Sequence, residues 1–353
     1  MIDNNYQFPY GQVNNNDLIL LKKKPESILD KFQYLEDIFQ LGNDLSSNIS
    51  LPTKDHSPLS DIDPDLNVFF PQNDMLFPSS NYHMNSSFNT VVSRNRLSFS
   101  IFNVNVRSSS ANFHKLLDCI DSLEHSFSVI GCSETWLKEY NSDLFNINGY
   151  NHEYNLRAGK KRGGGVSLYV SNKIQYQVRD DIKLCSSSNC IAVEIDKNSV
   201  KSKKNVIIIM MYRPPNTKIS TFNDSLQVIL RKVQKENKYA CVLGDFNIDT
   251  YIYNKQPMHN DAEHFCNLFQ SFSYKQLINR PTRYSLNSPT LLDNVYTNLS
   301  INMDSCDSGI LCADISDHFP VFCIFYQLNL MNEDKFITKR DFCDKNKNIF
   351  KNL

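Results

Sequence analysis

Charge of neither sign dominates this 353-residue chain: 37 lysines and arginines stand against 38 aspartates and glutamates. That balance excludes a protein that grips nucleic acid through bulk positive charge alone, while leaving room for a local basic groove on a neutral body. The ten cysteines include no CxxC pair, and the nearest two, Cys185 and Cys190, have no matching pair and no His beside them. They read as reduced, mostly core thiols of an intracellular protein. Long apolar runs are missing too. The N-terminus offers only Leu18 to Leu21 in succession, far short of a signal-peptide core. The longest run, "VIIIMMY" at 206–212, is much too short to span a bilayer. Neither secretion nor membrane insertion is expected.

What is present divides the chain in composition. Residues 1–96 are rich in Asn, Ser, Asp and Pro, and their apolar residues show little period. Such a segment cannot bury enough surface to offset its ordering entropy and reads as a low-complexity, mostly disordered extension. Its exception is "SILDKFQYLEDIFQLG", where Ile28, Phe32, Leu35 and Phe39 fall at helical spacing after a possible cap at Ser27.

From Leu97 the pattern is regular. "LSFSIFNVNV" alternates as a half-buried strand, Phe113, Leu116, Leu117 and Ile120 follow at helix spacing, and "FSVIGCSET" reads as a second strand. A strand, helix and strand in succession predict a parallel crossover unit. "GGGVSLYVS", "CIAVEID" and "NVIIIMMYRPP" are further strands, the last stopped by two prolines. Phe222, Leu226, Ile229, Leu230 and Val233 mark a helix face leading into the strand "YACVLGDFN"; Phe265, Leu268, Phe269 and Phe272 mark a shorter helix. "TLLDNVYTN" and "FPVFCIF" complete a mixed α/β domain over 97–329.

Polar groups recur at the ends of these strands. Asn105 closes the first and Glu134 follows "VIGCS". Tyr212 and Arg213 follow "VIIIMM", and Asp245 and Asn247 follow "CVL". Asp293 follows "TLL", while Asp317 and His318 precede the last strand. Singly each has an ordinary explanation, since Asn and Asp form turns and a buried Tyr needs only one partner. Jointly they supply hard oxygen donors and one His with an adjacent Asp, and strand ends at one sheet edge are where α/β folds place sites. Carboxylate and amide oxygens suit magnesium, whereas zinc would want more His or Cys. A magnesium site with a His and a Tyr is suited to splitting a phosphate ester. Period-two alternation would point Asp245 and Asn247 to one side and Phe246 to the other.

The ordered set "NVNVRS", "SETWL", "GGGVSLYV", "MYRPP", "LGDFN", "TLLDNVYTN" and "SDHFPV" resembles the endonuclease/exonuclease/phosphatase family. It is most similar to the apurinic-type endonuclease domain of non-LTR, LINE-like retrotransposons. The resemblance covers 97–329 and implies a four-layer α/β/β/α sandwich of two mixed β-sheets flanked by helices. It also implies roles. Glu134 would be the principal metal carboxylate, with Asn105 and Asp317 on the metal side and magnesium or manganese as the ion. Tyr212 would contact the scissile phosphate and Asn247 would hold a phosphate oxygen. Asp245 and His318, the latter oriented by Asp293, would share the work of base and phosphate polarisation. The substrate implied is DNA and the location nuclear.

Arg157 and the run Lys160, Lys161, Arg162 precede "GGGV", where a substrate-facing loop would lie, and Arg213, Thr282 and Arg283 are further candidates for substrate contact. "ITKRDFCDKNKNIFKNL", within 330–353, resembles the connector that leads to reverse transcriptase in such elements; no reverse transcriptase signature is present, as expected of a truncated copy or fragment. An abasic-site endonuclease, another phosphodiesterase of the family and a catalytically idle remnant remain open alternatives, because shared folds do not fix substrates.

Overall fold

The computed structural model describes residues 80–92, 97–156, 163–184, 189–251, 260–284, 289–301 and 305–330. The helical pattern from Ile28, the residues Arg157 and Arg162, and the connector after Leu330 lie outside the described residues.

The elements run in the order β1 (Asn81–His83), α1 (Asn85–Val92), β2 (Ser98–Asn105), α2 (Ser109–Asp121), β3 (Val129–Ser133), β4 (Tyr150–Asn155), β5 (Val166–Ser171), β6 (Tyr176–Val178), β7 (Cys190–Ile195) and β8 (Val206–Tyr212). There follow α3 (Ile219–Lys235), β9 (Tyr239–Asp245), α4 (Asn260–Ser271), β10 (Lys275–Gln276), β11 (Arg283–Tyr284), β12 (Pro289–Thr290), β13 (Asp293–Thr297), β14 (Cys306–Leu311) and β15 (Val321–Asn329). They build a seven-stranded sheet, β1-β14-β15-β2-β3-β5-β4, and a six-stranded sheet, β10-β13-β9-β8-β7-β6, with β11 and β12 as a separate hairpin. Both large sheets are mixed: β2 pairs with β3, and β8 with β9, in parallel, while β15 runs antiparallel to β2 and β13 to β9. The expected four-layer sandwich is therefore the fold.

Side-chain alternation explains the layering. On β2, Phe99 and Ile101 join the core between the sheets with Ile208 and Met210 of β8, Leu243 of β9 and Cys323 of β15. Phe102 and Val104 point the opposite way, against Leu116 and Ile120 of α2 and Phe88 of α1. Across the second sheet, Ile207, Ile209 and Val242 meet Leu226, Leu230 and Val233 of α3 and Phe265 and Phe269 of α4. Strands covered on both faces show as unbroken apolar runs, which is why "VIIIMMY" carries no alternation. The described cysteines form no disulfide with one another, and all but the half-buried Cys266 are buried.

One boundary differs from the sequence reading, which began the domain at Leu97. The first sheet takes in β1, whose residues pair in parallel with Gly309 to Leu311, and Phe88 of α1 is fully buried. Three residues in "NYH" are too few to show a period. No helix among the described residues is long and apolar enough to cross a membrane.

Candidate active site

The parallel pairs β2/β3 and β8/β9 end on the same side of the sandwich, and this brings the polar strand ends together. Across the second sheet, Tyr212 is the register partner of Asp245 and Asp245 that of Asp293, so three functional side chains stand in a row. Their approach depends on Gly244. Its φ is +147°, and a Cβ there would lie 1.7 Å from the Met211 carbonyl oxygen, so only glycine lets β9 pass β8 at this point.

The opposing row comes from the first sheet. Asn105 donates through Nδ2 to Asp245 Oδ2 at 2.8 Å and to Glu134 Oε1 at 3.2 Å, thereby joining the two sheets at their edge. Tyr212 OH donates to the same Glu134 Oε1 at 2.9 Å. Glu134 sits in the left-handed region, φ +52°, unusual for a residue with a side chain. The turn that imposes this is clamped from both sides. Ser108 N–H donates to the Glu134 carbonyl at 2.8 Å, and Thr135 and Trp136 donate to the carbonyls of Gly165 and Gly164 at 3.3 and 3.0 Å. A Cβ on Gly165 would stand 2.8 Å from Thr135 Oγ1. Gly164 and Gly165 of "GGGV" thus hold the turn that carries the Glu134 carboxylate.

His318 completes the site from the loop before β15. Its Nδ1 is 2.7 Å from Asp293 Oδ2, and Thr282 Oγ1 donates to that same oxygen at 2.7 Å. His318 N–H donates to Ser316 Oγ at 3.1 Å, and Ser316 Oγ–H donates to the Asn105 carbonyl at 2.5 Å. Asp245 and Asp293 are fully buried and His318 is 4 % exposed. Burial, with Asp293 beside it, pushes the Asp245 carboxyl up to about 7 against the opposing pull of His318 and Asn105. Burial works to discharge His318, but the field and hydrogen bond of Asp293, aided by Asp245 and Asp317, outweigh it and raise the imidazole to about 9.

Ligand atoms of Asp245, Asp293 and His318 lie within 4.8 Å of one another. Asp293 Oδ1 is buried without a hydrogen-bond partner, and both bonds to Glu134 fall on Oε1. Clustered acidic oxygens with acceptor capacity left over fit a hard divalent cation.

Several expected roles look different once the side chains are placed. The strand β9 ends at Asp245 and Asn247 has φ +48°, so a turn rather than strand alternation sets it beside Asp245. Phe246 still packs the other way, among Phe222, Phe265 and Tyr296. Asn247 Nδ2 donates to the Arg213 carbonyl at 2.9 Å and to Asp245 Oδ2 at 3.3 Å. Arg213, expected at substrate, is 3 % exposed and aims Nη1 at the carbonyls of Phe246 and Asn247, bracing the turn. Thr282, also expected at substrate, is fully buried and orients Asp293. Asp317, expected on the metal side, is committed to Arg107 and Arg283. Sequence reasoning missed Arg107, Ser316 and the Thr135 clamp. Ser316 had a signal, since Ser two residues before His commonly turns back onto backbone.

Residues 206–322 match the family described as "Endonuclease-reverse transcriptase". That span holds Tyr212, Asp245, Asp293 and His318. The fold is similar to the endonuclease domain of TRAS1, a telomere-specific non-LTR retrotransposon (TM-score 0.52, 11 % identity, 65 % of this chain and 98 % of that one). The chain carries the endonuclease/exonuclease/phosphatase fold. This endonuclease/exonuclease/phosphatase-fold protein is also similar to the Xenopus laevis APE2 catalytic domain (TM-score 0.55, 16 % identity, 67 % and 94 % covered). It is similar again to the AP endonuclease LMAP from Leishmania major (TM-score 0.55, 13 % identity, 89 % and 99 % covered). No curated protein sequence matches it. The family resemblance read from the motifs is borne out.

Proposed function

We propose that this protein is a magnesium-dependent endonuclease that hydrolyses one phosphodiester of duplex DNA, leaving a 3′-hydroxyl of the kind that primes reverse transcription in a full element. The observation that carries the reading is the joining of two half-sites: Asn105 bridges Glu134 of one sheet to Asp245 of the other, beside the Asp293–His318 pair. The likeness to the TRAS1 domain supports a DNA substrate, and that substrate would place the protein in the nucleus.

Glu134 would hold the cation, which would neutralise phosphate charge and lower the pKa of water. Asp245 is the group suited to accept the proton of an attacking water, because a carboxyl near neutrality can do so without being a permanent anion. His318 is suited to the phosphoryl oxygens. Asp293 occupies Nδ1 and leaves the Nε2 proton to stabilise charge as it builds. Tyr212, steadied on Glu134, stands beside Asp245 where it can contact the phosphate. Asn247 and Arg213 keep the Asp245 turn rigid.

The test is nicking of supercoiled plasmid by the full chain, wild type beside Glu134→Ala and His318→Ala, in magnesium and in EDTA. Metal-dependent nicking that falls by about 10²- to 10⁴-fold in each variant is the expected result. A folded wild type that leaves the plasmid intact would overturn the reading. A duplex containing an abasic site, run alongside, separates nicking of intact DNA from repair-type cleavage.

A further inference from the structure

The rim of the site holds one carboxylate between two guanidiniums. Asp317 Oδ2 accepts from Arg283 Nε at 3.1 Å and Nη2 at 2.9 Å, a two-pronged contact. Its Oδ1 lies 2.8 Å from Arg107 Nη1. The three residues are far apart in sequence and come from three segments: the turn after β2, the hairpin strand β11 and the loop before β15. The side chains of Arg107 and Arg283 are 55 % and 34 % exposed, against 26 % for Asp317, so the arginines face outward over the carboxylate.

Stability does not explain this cluster. Ion pairs this open to solvent contribute little to folding. Two cations on one anion also leave a net positive charge, at the mouth of a site whose interior is acidic. Arg107 moreover adopts φ +43° and the adjacent Ser108 φ +95°, while the Arg107 N–H caps Asn105 Oδ1 at 3.0 Å. Backbone strain beside a functional group is retained where the surroundings impose it for a purpose. Arg283 bridges His318 in backbone pairing, so both arginines sit one step from residues of the hydrolytic site.

We propose that Asp317 occupies the place of a nucleic-acid backbone phosphate, and that Arg107 and Arg283 form a phosphate subsite which the incoming strand takes over by displacing the Asp317 carboxylate. Like a carboxylate, a phosphodiester offers two anionic oxygens to planar guanidinium forks, and arginine is the residue that binds both. The exchange keeps the arginines ordered and spaced before substrate arrives, which lowers the ordering cost of binding. It also disfavours weaker anions, since any ligand must compete with an anion already in place. The subsite rests on the reading of the protein as a DNA nuclease, and it assigns Asp317 to substrate competition rather than to the metal.

The experiment is binding of a short fluorescent duplex in EDTA, over a range of salt concentrations, to wild type, Asp317→Asn, Arg107→Ala and Arg283→Ala. Thermal melts confirm that each variant is folded, and Arg107→Ala, the most exposed change, provides the variant least able to disturb the fold. Asp317→Asn should bind about two- to fivefold more tightly than wild type without metal, because the competing charge is gone. Each arginine variant should flatten the plot of log affinity against log salt by about 0.9 for each phosphate it no longer neutralises. An Asp317→Asn affinity equal to or below wild type, with unchanged slopes in the arginine variants, would overturn the proposal. Arginine Nε–H signals titrated by NMR with inorganic phosphate provide the independent arm. Shifts at Arg107 and Arg283 in a protein that fails to nick DNA would uphold the phosphate subsite and refute the nuclease reading. Nicking with metal-free binding unaltered by Asp317→Asn would do the reverse.

Discussion

Two buried carboxylates on the second sheet have opposite fates. Glu194 of β7 lies near the start of β8 and β9, and Asp245 lies at the far end of the same parallel pair. The Glu194 side chain is 2 % exposed, yet Lys238 Nζ reaches both its oxygens at 2.7 Å, Asn205 donates at 2.6 Å, and Arg179 pairs with it. Burial alone would raise its pKa, but Lys238, Asn205 and Arg179 together hold it below the usual carboxylate value. Asp245 has another carboxylate for a neighbour and is pushed up to about 7. One end of the sandwich satisfies its charge completely while the other leaves negative charge in excess. A fold that can staple Glu194 so thoroughly leaves Asp245 under-compensated only where a cation or a reaction is to supply the balance.

The largest effect that would break this contrast is on activity. Asp245→Asn should lower nicking by about 10²- to 10⁴-fold, yet raise stability in EDTA above neutral pH by about 1–3 kcal/mol, because it removes one of two adjacent buried anions. Paired plasmid-nicking and urea-denaturation curves measure both, and a destabilised Asp245→Asn would show that the excess charge is compensated in the free protein. Next comes the opposite pole. Glu194→Gln should cost about 1–3 kcal/mol, less than a fully buried pair because Arg179 and Lys238 reach solvent and retain Glu236. Its nicking rate should equal that of wild type, and a lost rate with intact folding would mean the two ends are coupled.

Magnesium should stabilise the wild type by about 1.4 kcal/mol at ten times its dissociation constant. The gain should shrink in Glu134→Ala and persist in Glu194→Gln. Differential scanning fluorimetry with and without the ion measures it, and an equal gain in all three proteins would place the cation elsewhere.

The layout of the site was legible in the sequence because its residues terminate strands, and strong apolar runs such as "VIIIMMY" and "YACVL" mark where strands end. The helices α2 and α3 were legible from their apolar spacing. Short edge strands were not: β1 has three residues, and β4, "YNHEYN", is half-exposed throughout and shows no alternation. Direction was the harder matter within the site. Sequence placed Arg213 and Thr282 at the right end of the sandwich but could not tell that one is buried against carbonyls and the other against Asp293. Asp317 illustrates the reason, since its partners Arg107 and Arg283 are 210 and 34 residues away in the chain. Motif order fixes which residues meet, whereas the hydrogen bonds among them depend on pairings of long sequence separation.

The smallest effect sets the two ends most directly against each other. A group whose folded pKa is raised stabilises the protein fully below its unfolded pKa and loses that contribution as pH rises through the folded value. For Asp245 this loss spans 3.8 to about 7, and for His318 it spans 6.5 to about 9. Glu194 has the opposite sign: its contribution is present above 4.5 and disappears as pH falls below that. Metal-free protein should therefore lose stability along an acid limb set by the Glu194 network and an alkaline limb set by the candidate site. His318→Gln should flatten the decline between 6.5 and about 9, and Glu194→Gln should flatten only the acid limb. Urea midpoints across this range in EDTA decide it. A wild-type profile without an alkaline decline would mean that Asp293 does not hold the proton on His318, and the electrostatic half of the proposed mechanism would have to pass to another group.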